Sequence, residues 1–357
     1  INQVDVDDDD DLGYVTEIFH NALTCDPKLR VLDICQKAGL DFTMPIHFRS
    51  SITCLRDECL KPGYGIEVIR KMISLGVDMN RGVIKGRTPA YIIASKEAGQ
   101  GLAREYADYF HQAAELLSSE SMEQLTEQGR AAIHMAARNG HRDMLAVMLK
   151  KGVNVNLSED SPSQPGTTPL HEACTYNHVE TIKLLMDAGA DDTLKNSKGE
   201  TPAHCAVMNQ KFGKELTNEQ RILILQQLKH LDIPDENGRT PFMQTSFLDL
   251  TAPKELLPVF LEKGVDLNRR DNQGMTALML NADHYCYKDV IKLLIQAGAD
   301  IQAADNEGNT ALYYALQTRE AGVARYLIRK GAAYNHPNNE GITPVQVAVE
   351  NGMDTVL

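Results

Sequence analysis

A threonine recurs at Thr53, Thr88, Thr168, Thr201, Thr240, Thr276, Thr310 and Thr343, and Ala131 holds the same slot within Gly129-Arg130-Ala131-Ala132-Ile133-His134. Successive separations are 35, 43, 37, 33, 39, 36, 34 and 33 residues. The clearest copy is Thr168-Pro169-Leu170-His171. A Thr-Pro pair starts a helix: threonine caps the unpaired N–H groups of the first turn, and proline gives up an N–H that had no partner. Leu170 and Ala173 then face inward. Ile182, Leu184 and Leu185 form a second apolar stripe, stopped by Gly189, whose conformational freedom suits a helix end. A second signature recurs after the helices, as Gly76-Val77-Asp78, Gly152-Val153-Asn154, Gly189-Ala190-Asp191, Gly264-Val265-Asp266, Gly298-Ala299-Asp300 and Gly331-Ala332-Ala333, and the long unit lacks it. One unit therefore reads turn, helix, loop, helix, turn. A single unit cannot bury its own stripe, so neighbours must cover it.

A period near 33 with a T-P-L-H start and two helices per unit resembles the ankyrin repeat. The resemblance covers about residues 48 to 357. It implies an all-α fold: a solenoid of stacked antiparallel helix pairs with β-hairpin-like fingers, whose concave face is made of finger tips and first helices. The expected organisation is an acidic disordered start (1–13), an N-terminal helical cap or degenerate repeat (14–47) and a repeat at 48–82. A long repeat with an insertion follows at 83–125. Further repeats span 126–162, 163–195, 196–234 (with an insertion), 235–270, 271–304 and 305–337, and a partial repeat spans 338–357. Insertions are expected near 96–104, 157–165 and 211–217; the second reads as an exposed irregular loop because of its prolines and serines. Pro258 should sit in a first turn or kink its helix. The chain starts at Ile1 and stops inside an expected second helix, so a fragment of a longer array is expected.

The net charge of −13 argues against a protein that neutralises nucleic-acid phosphates or docks on an anionic membrane. Seven cysteines, an odd number with no C-x-x-C pair, suit a reduced cytoplasmic setting, which is the host cytoplasm if the chain is a secreted effector. No run approaches the roughly 18 apolar residues of a membrane span. A monomer is expected.

No catalytic, cofactor or metal site is expected. Asp5 and Asp7 to Asp11 lack the glycine and distal glutamate of a calcium loop. His134, His171 and His204 fall in the fourth position of the repeated motif, where the resemblance implies a bond to the unit's own threonine and to backbone near the next finger. His141 and His178 recur seven residues later, so their spacing comes from the repeat and not from a metal. Cys174 near His171 suggests a nucleophile and base, but nothing supplies an oxyanion site.

Recognition should lie where the fold leaves residue choice free. Those slots are four, three and one residues before each threonine, and seven and eight after it. They give Gln164, Pro165, Thr167, Thr175 and Tyr176; Ser197, Lys198, Glu200, Met208 and Asn209; Glu236, Asn237, Arg239, Phe247 and Leu248; and Asn272, Gln273, Met275, Asp283 and His284. Tyr176, Met208, Phe247 and Leu248 are apolar or aromatic where solvent favours polar residues, so they should form a stripe that anchors a protein or peptide partner. Thr175, Lys198, Arg239, Gln273 and His284 are expected beside it. The alternative function is a substrate-recruiting arm of a larger enzyme or bacterial effector with its catalytic domain elsewhere.

Overall fold

In a computed structural model, the described residues are 29–37, 39–43, 45–48, 51–60, 62–95, 106–162, 164–208, 216–248, 251–284 and 288–356. The acidic start, half of the expected N-terminal cap and the segments 96–104 and 211–215 lie outside them. The chain divides into two compact units, Ile1–Ala190 and Asp191–Leu357.

In unit 1, helix α1 (Arg30–Lys37) precedes a hairpin of β1 (Pro45–Phe48) and β2 (Ser51–Cys54). The strands pair antiparallel, with Ile46 opposite Thr53. This corrects two expectations. Thr53 is not a helix cap, because no proline follows it and Ile52 and Thr53 are β-branched. The boundary expected between 47 and 48 also cuts this hairpin. Helices α2 (Leu55–Glu58), α3 (Ile66–Ser74), α4 (Pro89–Ala94) and α5 (Ala107–Leu116) follow. A short helix α6 (Ser119–Glu123), capped by Ser118, was not expected and takes up part of the long 88-to-131 spacing. Then come α7 (Ala132–Asn139), α8 (Arg142–Lys150), α9 (Pro169–Thr175) and α10 (Val179–Asp187).

Unit 2 comprises α11 (Pro202–Val207), α12 (Asn218–Gln227), α13 (Pro241–Gln244) with a 3-10 turn at Thr245–Phe247, and α14 (Ala252–Glu262). It continues through α15 (Ala277–Asp283), α16 (Lys288–Gln296), α17 (Ala311–Gln317), α18 (Ala321–Arg329) and α19 (Pro344–Glu350). Pro258 lies past the first turn of α14, with helix on either side of it.

Within each unit, first helices stack on first helices and second on second: α4, α7 and α9 form one row, and α5, α8 and α10 the other. Residue size explains the rows. Ala132, Ala136 and Ala137 on α7 and Ala173 on α9 are fully buried and let thin helices approach closely. Met144, Leu145 and Met148 on α8 fill the deeper layer, each stabilising the fold by about 1.5–3 kcal/mol. Lysines close the second helices across repeats. Lys151 Nζ donates to the carbonyls of Glu115 and Leu117 (2.8 and 2.6 Å), and Lys263 Nζ to those of Gln226 and Leu228 (3.1 and 2.7 Å). These satisfy helix-end carbonyls that otherwise have no partner.

Candidate functional site

The finger tips and first-helix ends are held by three repeated devices. The first is a turn. Asp271 Oδ1 accepts from the N–H groups of Gln273 and Met275, both at 2.9 Å. Asn196, Asp235, Asp305 and Asn338 do the same in their own fingers. Gly274 takes φ +81°, and a Cβ there would meet Asn306 Oδ1 at 2.5 Å, so only glycine fits.

The second device is a ladder in unit 2. Asn272 Nδ2 donates to the Glu236 carbonyl (2.8 Å), Asn306 Nδ2 to that of Asn272 (2.8 Å) and Asn339 Nδ2 to that of Asn306 (2.9 Å). Backbone bonds run beside it, from Asn272 to Asn237, Asn306 to Gln273 and Asn339 to Glu307, each at 2.9 Å.

The third is a histidine latch. His204 Nδ1 lies 2.9 Å from Thr201 Oγ1 and accepts from the Thr201 N–H, while Nε2 lies 2.9 Å from the Arg239 carbonyl of the next finger. A carbonyl can only accept, so the ring carries its proton on Nε2. His171 Nδ1 meets Thr168 Oγ1 at 2.8 Å, and His134 Nε2 meets the Leu157 carbonyl at 2.8 Å. Burial holds His204 below the usual histidine range and brings His134 down to about 4, so the rings stay neutral. His141 stacks on Phe110 at 4.1 Å, and His178 Nε2 meets the Arg138 carbonyl at 2.8 Å. All five histidines are therefore structural. No group of residues suited to a metal occurs among the described residues, and no described helix is long and apolar enough to cross a membrane.

The rigid frame presents the free slots. In unit 2 three expected residues meet. The Arg239 guanidinium lies 4.6 Å from the Phe247 ring centre, and Phe247 meets His284 edge to face at 4.6 Å. Asp271 steadies Arg239 through Nε at 3.4 Å, and His284 sits 3.2 Å from Asp283. Met208 is half-buried at the end of α11, while Lys198 and Gln273 are exposed at finger tips. Leu248 contradicts its expectation: it is only 8% exposed. The 3-10 turn after α13 carries the chain back toward the core one residue beyond Phe247 and tucks Leu248 inside.

In unit 1, Thr175 donates its hydroxyl to the His171 carbonyl (2.9 Å), and Tyr176 is half-buried with the Arg138 guanidinium 4.6 Å from its ring centre. The loop at 157–165 has no helix or strand among its described residues and exposes Ser158, Asp160 and Pro162, as expected, but it folds back at Glu159 and Ser161. Glu159 N–H donates to the Thr167 carbonyl (2.8 Å), its own carbonyl accepts from Gly166 (2.9 Å), and Glu159 and Ser161 are buried. The reason is a charge pair: Arg130 Nε meets Glu159 Oε2 at 3.0 Å, with the glutamate side chain 1% exposed. Glu159 Oε1 is buried without a hydrogen-bond partner. Burial, then the neighbouring Glu172 carboxylate, pushes the Glu159 carboxyl up to about 7 against the pull of Arg130. Tyr91, on the next first helix, lies in the field of Arg87, Arg130, Glu159 and Arg138. Arg87, Arg130 and Arg138 were missed. They occupy the same minus-one and plus-seven slots counted from Thr88 and Ala131, and extending the slot rule to those two repeats finds them.

Stacked helix pairs with prebuilt fingers and chemically varied residues at the free slots define a repeat scaffold of the interaction class. Family models described as ankyrin repeats match residues 102–196, 157–221, 217–305 and 287–357. The chain belongs to the ankyrin repeat family, whose repeats generally mediate protein–protein interaction and are typically non-catalytic. It is 35% identical over 114 residues to the human BCL-6 corepressor-like protein 1, covering 31% of this chain and 6% of that protein. It is 35% identical over 82 residues to the tyrosine-protein kinase HTK16 of Hydra vulgaris, covering 22% of this chain and 10% of that one. The chain thus spans a small part of either relative. The crystal structure of the ankyrin repeat domain of Bcl-3 superposes with a TM-score of 0.55 at 22% identity, over 64% of this chain and 99% of that domain, a likeness of fold.

Proposed function

We propose that this chain binds a protein or peptide partner through its finger tips and first-helix ends, with Tyr176, Phe247, Arg239, His284 and Met208 as anchors and Thr175, Lys198 and Gln273 beside them. The observation that carries this reading is the Arg239–Phe247–His284 cluster. An aromatic ring is kept half-buried at a slot where the fold requires none, and it is locked by an arginine of its own repeat and a histidine of the next. Rigid aromatics with arginine are the usual anchors of interfaces. The net charge of −13 supports a protein rather than a nucleic acid as partner, and the odd cysteine number supports a cytoplasmic setting. We expect a monomer.

The test is a pull-down with the whole chain, partner identification, and affinity measurement for the wild type and the Tyr176→Ala/Phe247→Ala double variant. The expected result is a loss of about tenfold or more in affinity with thermal stability nearly unchanged. Unfolding of the variant without a binding defect sinks the reading.

A second reading is that the chain is the recruiting arm of a larger enzyme or effector. It is favoured by the match to a stretch of a tyrosine-protein kinase, of which the chain spans 10%. The length of the complete open reading frame decides it.

A further inference from the structure

Unit 1 gathers positive charge that the chain's own anions do not use up. Arg138 stacks on Tyr176. Among the described residues, the guanidinium groups of Arg138 and Arg87 have no ion-pair or hydrogen-bond partner, and both side chains are half-buried. Arg130 is committed to Glu159. Burial raises the Tyr91 and Tyr176 hydroxyls above the usual tyrosine range, so both stay protonated. A half-buried cation has given up part of its hydration, and among the described residues no anion replaces it. Stacking fixes the guanidinium plane, and a fixed fork matches the two oxygens of a carboxylate.

We propose that the face formed in unit 1 by Arg87, Arg138 and Tyr176 receives an acidic peptide, a segment that presents carboxylates to the two guanidinium groups. This rests on the protein-binding reading above and adds the chemistry of the partner.

Charge decides the occupant. A chain of net charge −13 repels a long polyanion at a distance, whereas a short acidic segment meets only the local arginines. Glu159, pushed up to about 7, is partly protonated near neutral pH and cancels less of that local charge.

The whole chain is panned against a phage library of random twelve-residue peptides. Recovered peptides are synthesised and measured by fluorescence anisotropy against the wild type and the Arg87→Gln/Arg138→Gln variant. The proposal expects Asp or Glu enriched among the recovered peptides. It expects about tenfold weaker binding, both to the variant and when those residues become Asn or Gln, with an unchanged thermal midpoint. Recovered peptides without acidic enrichment, or with full affinity for the variant, overturn the acidic assignment and leave the protein-binding reading standing. Recovery of no peptide at all overturns both. An oligothymidine of equal charge that binds as tightly, with the same arginine dependence, overturns the peptide assignment. Should the double variant unfold, Arg138→Lys replaces it: the charge stays and the fork is lost, and unchanged affinity there overturns the role of the stacked guanidinium.

Discussion

The repeats opened by Thr168 and Thr201 and those opened by Thr276, Thr310 and Thr343 solve one problem in two ways. In the first group the fourth motif position is histidine, and His204 joins its own threonine to the Arg239 carbonyl of the following finger from a fully buried position. In the second group that position is Met279, Tyr313 or Gln346, and the threonine caps only its own helix. The tie between fingers moves outward, to the exposed amides of Asn272, Asn306 and Asn339. A buried bond has no water to replace it when one partner is removed, whereas an exposed one does. The same junction can therefore be rigid by burial or by repetition, and the two differ in how they fail.

The largest effect expected is from His204→Ala. It removes a buried ring and its bonds on both sides, and should cost about 2–4 kcal/mol in urea unfolding. A loss below about 1 kcal/mol would mean that the latch adds little to this junction.

The pH response sharpens the contrast inside unit 1. His134 is held down to about 4, so its contribution is full above the unfolded value near 6.5 and is lost as pH falls toward 4. Glu159 is pushed up to about 7, so its contribution is full below the unfolded value near 4.5 and is lost as pH rises through 7. Between about pH 4.5 and 6.5 the two oppose each other. Thermal midpoints taken across that window should fall with rising pH more steeply in His134→Gln than in the wild type. In Glu159→Gln they should fall more steeply with decreasing pH. Parallel profiles for both variants and the wild type would overturn this assignment.

Asn306→Ala should have the smallest effect, about 0.5–1 kcal/mol, because water replaces an exposed amide. Its signature is local: faster amide exchange at Asn306, Asn339 and the turn around Gly308, with distant helices unchanged.

Much of this was legible because the repeat is a length signal. Thr88, Thr168, Thr201, Thr240, Thr276, Thr310 and Thr343 all start helices, and Thr217 with Gln220 forms the reciprocal cap its sequence suggests. Thr53 misled because a residue type alone does not carry its neighbours' propensities, and there the neighbours favour a strand. The slot residues Arg239, Phe247 and His284 meet in one cluster because fingers and first helices keep fixed lengths. Slot counting failed at Leu248, where α13 gives way to a 3-10 turn whose tighter winding rotates the next residue inward. Glu159 escaped because prolines and serines mark a loop but say nothing of which side chain a distant arginine will draw inside.

The fingers of unit 2 also divide the chain into stretches that can and cannot change length. From Asn196 to Thr201, Asp235 to Thr240, Asp271 to Thr276, Asp305 to Thr310 and Asn338 to Thr343 the interval is always five residues. The stretch joining first to second helix varies, from Val207 to Asn218 in one repeat and from Gln317 to Ala321 in another. One added residue in a finger would put the next asparagine amide out of line with its carbonyl, and each later rung would inherit the offset. The same residue added between helices would disturb no rung. New sequence can therefore accumulate at one seam of every repeat while the other keeps count, and a foreign repeat could be spliced into this array if its finger carries Asx five residues before threonine and asparagine four before.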